Sequence, residues 1–353
     1  MAEKVLMKGN EAIAEAALRA GCRFYFGYPI TPQTELTAYM AKRLPKMNGC
    51  FLQAESEIAA INMVYGVACT GKRVMTSSSS PGISLKQEGI SYIAGSDLPA
   101  VIVNVERGGP GLGGIQPSQA DYFQACKGGG HGDYHLVVLA PSSVQEMASL
   151  TYLAFDLADK YRVPAMLLAD GTIGQMMEPV ELPEPYEPVV KNDYAVTGTH
   201  MEREHRIITS LALDPLELER WTFEREARYD EIKANEARYE SYMMDDAEYC
   251  IVAFGIAARV AKNAIAELRK EGIRVGLIRP ITLWPFPEKP IREAADKVKA
   301  FLSVELSMGQ MIEDVKIASE CKKPVVLCNR SGGMIPSDEE VAEAIRKIKR
   351  GED

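Results

Sequence analysis

No stretch of this 353-residue sequence is an apolar run approaching the ~18 residues that a bilayer-spanning helix needs. A basic excess is missing too. The 40 Lys and Arg stand against 49 Asp and Glu, a net charge of −9. That excludes the basic footprint of a nucleic-acid surface and leaves no basic amphipathic anchor for a membrane. The N-terminus, Met1 to Leu18, lacks the apolar core of a signal peptide, so a cytoplasmic protein is expected. Histidine is scarce, and His131, His135, His200 and His205 give no H-E-x-x-H or other metal spacing. The seven cysteines (Cys22, Cys50, Cys69, Cys126, Cys250, Cys321 and Cys328) contain no C-x-x-C pair, which removes the zinc-ribbon and ferredoxin-cluster signatures. Their odd number and wide spacing read as buried, reduced thiols. No metal is therefore expected on this chain alone. The P-loop pattern is absent, and no G-x-S-x-G surrounds any of Ser77–Ser80.

What is present is an ordinary soluble composition, 46% hydrophobic and 25% charged, over a length that fits two domains. Asn10 is placed to cap a helix over Glu11–Ala20, closed by Gly21. Arg23–Tyr28 reads as a strand running into Tyr28-Pro29-Ile30-Thr31-Pro32, where Pro32 drives Thr31 out of the helical region. A helix over Thr34–Leu44 follows. Ligands bind in loops at strand ends of open α/β sheets, so the Thr31 hydroxyl is either a substrate contact or a cap for that helix. Phe51–Gln53, a strand, leads into an apolar helix from Glu57 to about Gly71, with Glu55 and Glu57 at its mouth. The helix dipole favours a carboxylate there. Against an apolar pocket its proton affinity would rise, which suits proton chemistry. The alternative is a pair of first-turn charges facing solvent.

Arg73–Ser77 is the next strand, Ser77–Gly82 a polar loop and Ile83–Ile93 a helix. The continuous apolar run Pro99–Val105 is a central parallel strand. Leu136–Ala140, Ser143–Tyr161 and Val163–Leu168 continue the alternation, so the expected class is α/β with a doubly wound parallel sheet. Gly109-x-Gly111-x-x-Gly114 has dinucleotide-loop spacing, but Pro117 falls where the required helix would run. Gly128–Gly132, around His131, is a lid, a partner contact or a solvent loop. The proline-rich, acidic Glu178–Glu187 ends the first domain. Residues 197–246 are densely charged and helix-favouring from Pro215 to Met244, with Tyr229, Ile232, Tyr239 and Met243 on one face. From Glu248 a second α/β unit of about four strands begins, closed by a helix over Ser337–Arg350. The expected organisation is 1–185, a charged helical linker over 186–247, and a smaller domain over 248–353 that serves as scaffold and subunit contact.

Four segments carry a resemblance: Gly9-Asn10-Glu11-Ala12, Gly27-Tyr28-Pro29-Ile30-Thr31-Pro32, Gln53-Ala54-Glu55-Ser56-Glu57-Ile58-Ala59-Ala60 and Val105-Glu106-Arg107-Gly108-Gly109-Pro110. Over nearly its whole length the chain resembles the α-type chain of the 2-oxoacid:ferredoxin oxidoreductases. The resemblance implies a pyrimidine-binding domain for thiamine diphosphate followed by a transketolase C-terminal-like α/β domain. It selects Glu57 over Glu55 as the acid that hydrogen-bonds N1′ of the aminopyrimidine and favours its 4′-imino form. It places Thr31 and Arg107 near the substrate carboxylate, and Pro29, Ile30, Ser79 and Ser80 along the cofactor. A guanidinium suits that task as a bidentate fork; the alternative for Arg107 is an ion pair with Glu106 or another acid. The implied reaction is oxidative decarboxylation of a branched-chain 2-oxoacid, 3-methyl-2-oxobutanoate, to its acyl-CoA with reduction of ferredoxin. The alternatives are 2-oxoglutarate as substrate, a non-catalytic assembly subunit, or an enzyme of the same cofactor class that passes no electrons to ferredoxin.

The G-D-G…N motif by which thiamine enzymes hold diphosphate and Mg²⁺ is missing; Gly132-Asp133-Tyr134 and Asp170-Gly171-Thr172 are poor imitations. There are no iron–sulfur ligands either. The resemblance therefore implies half a cofactor pocket, completed by a β-type chain carrying diphosphate and Mg²⁺. A γ-type chain and a small ferredoxin-like iron–sulfur chain would complete the assembly, with coenzyme A as second substrate.

Overall fold

Strand-forming apolar runs alternating with helix-period segments must stack as sheets covered by helices. The computed structural model, which describes residues 4–186 and 193–352, has that form. In the first part the elements run β1 (Lys4–Lys8), α1 (Gly9–Arg19), β2 (Phe24–Gly27), α2 (Thr34–Arg43), β3 (Cys50–Gln53), α3 (Glu57–Ala68), β4 (Val74–Ser78), α4 (Ser80–Gly95), β5 (Ala100–Glu106), α5 (Tyr122–Cys126), β6 (Val137–Leu139), α6 (Val144–Tyr161), β7 (Pro164–Asp170), α7 (Gly171–Gln175) and β8 (Met177–Glu181). Then come α8 (Pro215–Glu236), β9 (Tyr239–Tyr242), β10 (Tyr249–Ala253), α9 (Gly255–Lys270), β11 (Val275–Pro280), β12 (Thr282–Trp284), α10 (Glu288–Ala295), β13 (Ala300–Glu305), α11 (Met311–Ala318), β14 (Val325–Asn329) and α12 (Asp338–Arg350).

The first sheet has strand order β12-β6-β7-β5-β4-β2-β3 and is parallel except for β12, which joins β6 antiparallel. β5 and β7, its central pair, are buried along their whole length, as strands covered on both faces must be. The chain steps from β2 outward to β3 and then back across β2 to β4. The β2/β4 junction is thus a point where strand order reverses, and the crevice beyond such a junction is the general ligand position of open α/β sheets. The second sheet, β14-β13-β10-β11-β9, is parallel except for β9. β1 and β8 form a separate antiparallel pair. Among the described residues no helix is long and apolar enough to cross a membrane.

Several sequence expectations need correction. α1 starts at Gly9 behind Lys8, and Asn10 is not its cap. The Asn10 side chain is buried instead and donates to the Pro32 carbonyl (2.8 Å) and to Glu35 (3.1 Å), tying α1 to the turn before α2. Ser77–Gly82 is not a polar loop: Ser77 and Ser78 finish β4, Ser79 precedes α4, Ser80 opens it, and all four serines are buried. The helix expected to Met244 ends at Glu236. Tyr229 and Ile232 are the buried part of its stripe, whereas Tyr239 lies on β9, at the edge of the second sheet, and Met243 beyond it. That edge strand joins the four strands that the unit from Glu248 supplies to the second sheet. All seven cysteines are unpaired, but only Cys22, Cys126 and Cys250 are buried; Cys50 and Cys321 are exposed. Glu187 and the first residues of the expected linker, through 192, lie outside the described residues.

Candidate active site

Glu57 opens α3 just after Ser56, whose Oγ accepts the Ala59 amide at 3.1 Å and so caps the helix. The two acids at this helix mouth separate cleanly. Glu55 is exposed, and Glu57 is 7% exposed. Among the described residues no side chain or backbone amide donates to the Glu57 carboxylate. It lies against the first turn of α4, where a Cβ on Gly82 would sit 2.8 Å from Glu57 Oε1 and 2.1 Å from Ser78 Oγ. Only glycine lets α4 approach that closely.

The ends of β2, β4 and β5 converge beside it. Buried Tyr25 bonds Ser77 (2.6 Å) and Thr37 (2.9 Å), and Gln33 Oε1 accepts from both of those hydroxyls. Gln33 Nε2, Ser78 Oγ, Ser79 Oγ and Arg107 Nε are buried without a partner. Buried polar atoms are normally hydrogen-bonded; these four lie at or just past the ends of β2, β4 and β5, while others without a partner, such as Tyr194 Oη and Tyr229 Oη, lie elsewhere. Ser80 does not present a free hydroxyl: its Oγ exchanges hydrogen bonds with the Arg107 backbone (3.0 and 3.2 Å). Its amide donates to Asn104, which in turn donates to Asp121.

Arg107, at the end of β5, is 8% exposed and pairs with no carboxylate among the described residues. Its Nη1 donates to the Thr31 carbonyl (3.1 Å) and its Nη2 to the Leu112 carbonyl (3.2 Å). The expected alternative, an ion pair with Glu106, is not formed. The β pleat sends Glu106 to the other face, where Oε1 accepts the Asp121 amide, and burial with Asp121 and Asp170 nearby holds its carboxyl well above the usual range. Thr31 meets Arg107 through its backbone, leaving its hydroxyl exposed. Pro29 is exposed and Ile30 half-buried on the same turn, and the Thr31–Pro32 peptide is cis. Beside Thr31 opens a cavity of ≈ 550 Å³ lined by Pro32, Ile115, Pro117, Met176 and uncharged polar residues, with no ionisable side chain.

The structure links Thr31, Arg107 and Ser80 by hydrogen bonds, and sets Glu57 and Ser78 against Gly82 in the first turn of α4. It adds residues the sequence reading passed over: Gly82, Gln33, Ser78 and Lys86. A signal for Lys86 existed. It falls on the inward stripe of α4 with Ile83, Ile90 and Ile93, where a lysine is out of place. Gly128–Gly132 packs back onto α4, with the Gly130 amide on Tyr134 and the His131 carbonyl accepting from Ser91.

A strand-order reversal with an unsatisfied carboxylate beside it is the arrangement of a cofactor-binding α/β subunit, and sequence comparison identifies which. Residues 15–245 match the family described as "Pyruvate flavodoxin/ferredoxin oxidoreductase, thiamine diP-bdg", and residues 247–341 match "Pyruvate:ferredoxin oxidoreductase core domain II". The chain belongs to this 2-oxoacid:ferredoxin oxidoreductase family. More particularly, it is 54% identical, over 97% of both chains, to the ketoisovalerate oxidoreductase subunit VorB of Methanothermobacter thermautotrophicus. It is 37% identical to the 2-oxoglutarate synthase subunit KorA of Methanocaldococcus jannaschii, over 96% of this chain and 98% of that one. A solved 2-oxoglutarate:ferredoxin oxidoreductase from Magnetococcus marinus, with 2-oxoglutarate, coenzyme A and succinyl-CoA bound, superposes with a TM-score of 0.87 at 26% identity. That match covers 98% of this chain and 65% of that one. A split-gene transketolase, 14% identical with a TM-score of 0.59, shares the fold alone. The residues present suit the pyrimidine half of thiamine diphosphate: a buried acceptor with no donor among the described residues, and the buried Ser78 hydroxyl on the same side of Gly82.

Proposed function

We propose that this chain is the α-type subunit of a complex that oxidatively decarboxylates 3-methyl-2-oxobutanoate to its acyl-CoA and reduces ferredoxin. The observation that carries the reading is the Glu57 carboxylate, buried at a helix N-terminus with no donor among the described residues, in a chain of the thiamine-binding family. Bound thiamine diphosphate supplies a nucleophilic carbon for the 2-oxo group and a sink for the electrons left when CO₂ departs. Glu57 accepts a hydrogen bond from the pyrimidine ring and holds or releases that proton as the ring changes tautomer. Arg107, a buried guanidinium without a counter-ion, takes the substrate carboxylate, with the Thr31 hydroxyl beside it. Pro29, Ile30, Ser79 and Ser80 line the cofactor side of the crevice.

The cavity next to Thr31 supports a branched aliphatic substrate. Its apolar side chains are Pro32, Ile115, Pro117 and Met176, and it offers no cation to a second carboxylate. 2-Oxoglutarate, the substrate class of several relatives, would need one.

The missing G-D-G…N motif assigns diphosphate and Mg²⁺ to a β-type partner. Ile58, next to Glu57, and Leu85 on α4 are exposed, 50% and 51%, and give that partner an apolar edge to cover. A γ-type chain and a ferredoxin-like iron–sulfur chain complete the assembly, which works in the cytoplasm on coenzyme A and ferredoxin. The test is an assay of the purified complex with 3-methyl-2-oxobutanoate, 2-oxoglutarate and pyruvate, alongside the complex carrying Glu57→Gln. Preference for the branched acid, abolished by the substitution, is the expected result. Retained activity in Glu57→Gln refutes the role of Glu57, and preference for 2-oxoglutarate refutes the substrate.

A further inference from the structure

α4 meets α3 through a face of three residues, Gly82, Lys86 and Gly89. A Cβ on Gly82 would strike Ser78 and approach Glu57, and one on Gly89 would sit 2.5 Å from Ile61 Cγ2. Two glycines at four- and three-residue spacing bring the helices close, and α3 answers with Glu57 and Ile61, again four apart. Lys86 stands between the two glycines. It is fully buried, its Nζ donates to the Glu57 carbonyl at 3.3 Å, and among the described residues it forms no ion pair.

That arrangement is costly if its purpose is packing. An amine removed from water without a counter-ion in contact loses hydration worth several kcal/mol, and a methionine would fill the same length. Nor does the carbonyl need it, since a first-turn carbonyl already has its helical partner. What lies at the end of the lysine is the first turn of α3 and its donor-free carboxylate. Burial pushes the Lys86 ammonium down to about 8, and the Glu57 charge pulls it part of the way back. The amine therefore keeps most of its charge near neutral pH.

We propose that Lys86 is a positioning residue for Glu57: its ammonium pins the first turn of α3 and places its positive charge beside the Glu57 carboxylate, against the cofactor pyrimidine. This rests on the reading of Glu57 given above. Other ionisable groups on the elements packed around α3 and α4 are engaged elsewhere. Tyr25 on β2 is held by Ser77 and Thr37, Asp121 by Asn104, Tyr134 by Gln87, and Arg107 by the Thr31 and Leu112 carbonyls. Glu88, bonded to Tyr92, and Glu55 are exposed. Lys86, whose Nζ reaches the Glu57 carbonyl, and the helix N-terminus are then the positive groups at the first turn of α3.

The experiment uses the assembled complex with Lys86→Met, which removes charge and donor, and Lys86→Gln, which removes the charge but keeps a donor. The pH profile of kcat is measured together with the pH titration of the near-ultraviolet circular dichroism of the bound 4′-imino tautomer; calorimetric titration verifies thiamine diphosphate binding. Both variants should bind the cofactor and move the acidic limb of both profiles upward. A shift in Lys86→Met but not in Lys86→Gln overturns the proposal in favour of the carbonyl contact, and unmoved limbs in both overturn it outright. Failure of both variants to assemble also overturns it, because the role is then structural. Glu57→Gln in the same series separates the two layers. If it stays active, the reading of Glu57 fails; if it is dead while the limbs stay put, only the role of Lys86 fails.

Discussion

Two buried glutamates of this chain end in opposite states. Glu305, at the end of β13 in the second sheet, is 1% exposed and accepts from the Ser303 and Ser307 hydroxyls and the Gln310, Met311 and Ile312 amides. Glu57, in the first sheet's crevice, accepts from nothing among the described residues. The buried arginines divide the same way. Arg279 makes three bonds to Glu146 and Glu240, at 2.7 to 2.9 Å, stapling β11 to α6 and β9. Arg107 has only carbonyls and an orphan Nε. Burial alone does not mark function. A buried charge whose partners are complete belongs to the scaffold, and the two left without them, Glu57 and Arg107, are where we place the ligand.

The comparison breaks first at Glu57. Glu57→Gln should lower kcat by about 10²–10⁴-fold, the usual worth of a positioned acid–base group, with unchanged thermal unfolding of the complex. A loss of stability instead would put Glu57 in the same class as Glu305. Arg107→Met should raise KM for the 2-oxoacid by ~10–150-fold, the worth of about 1.5–3 kcal/mol in charge-assisted hydrogen bonds, and leave cofactor affinity as it was in calorimetric titration. Glu305→Gln should do the reverse: about 2 kcal/mol less stability in urea unfolding, from donors left unmatched, with kcat per folded complex unchanged. The last effect, of the same order as that at Glu305, is on Lys86. Because its folded pKa lies below its unfolded value, the unfolded chain binds more protons between about pH 8 and 10.5, and stability rises with pH through that window. Below it the deficit is complete, so Lys86→Met should stabilise the isolated chain at pH 7 by on the order of 1–3 kcal/mol. The gain should fade above pH 10.5, as followed by denaturant midpoints across the range.

Much of the fold was legible because its signals are local. The apolar run before Glu106 can only be an interior strand, and Ser337 with Glu340 forms the capping box that starts α12. Glu57, Thr31 and Arg107 were named through the motifs that carry the resemblance; the structure adds that Glu57 and Arg107 are buried. What escaped depended on partners distant in sequence. Asn10 looks like a cap until α2 arrives with Glu35 and the turn before it with the Pro32 carbonyl. Ser77–Ser80 look like a loop because four hydroxyls suit solvent, yet they end a central strand, where Tyr25 and Asn104 bond part of them and the rest stay open. β9 reads as helix from its charged neighbours and becomes a strand because β11 offers an unpaired edge.

The sequence by itself determined the alternation of strands and helices, the acidic mouth of α3 and the lack of a diphosphate motif, since each is written in neighbouring residues. Only the tertiary structure decided which acid is buried, which arginine lacks a counter-ion and which lysine stands behind Glu57. The reason is physical: burial and partner count are properties of space, and elements far apart in the chain supply them.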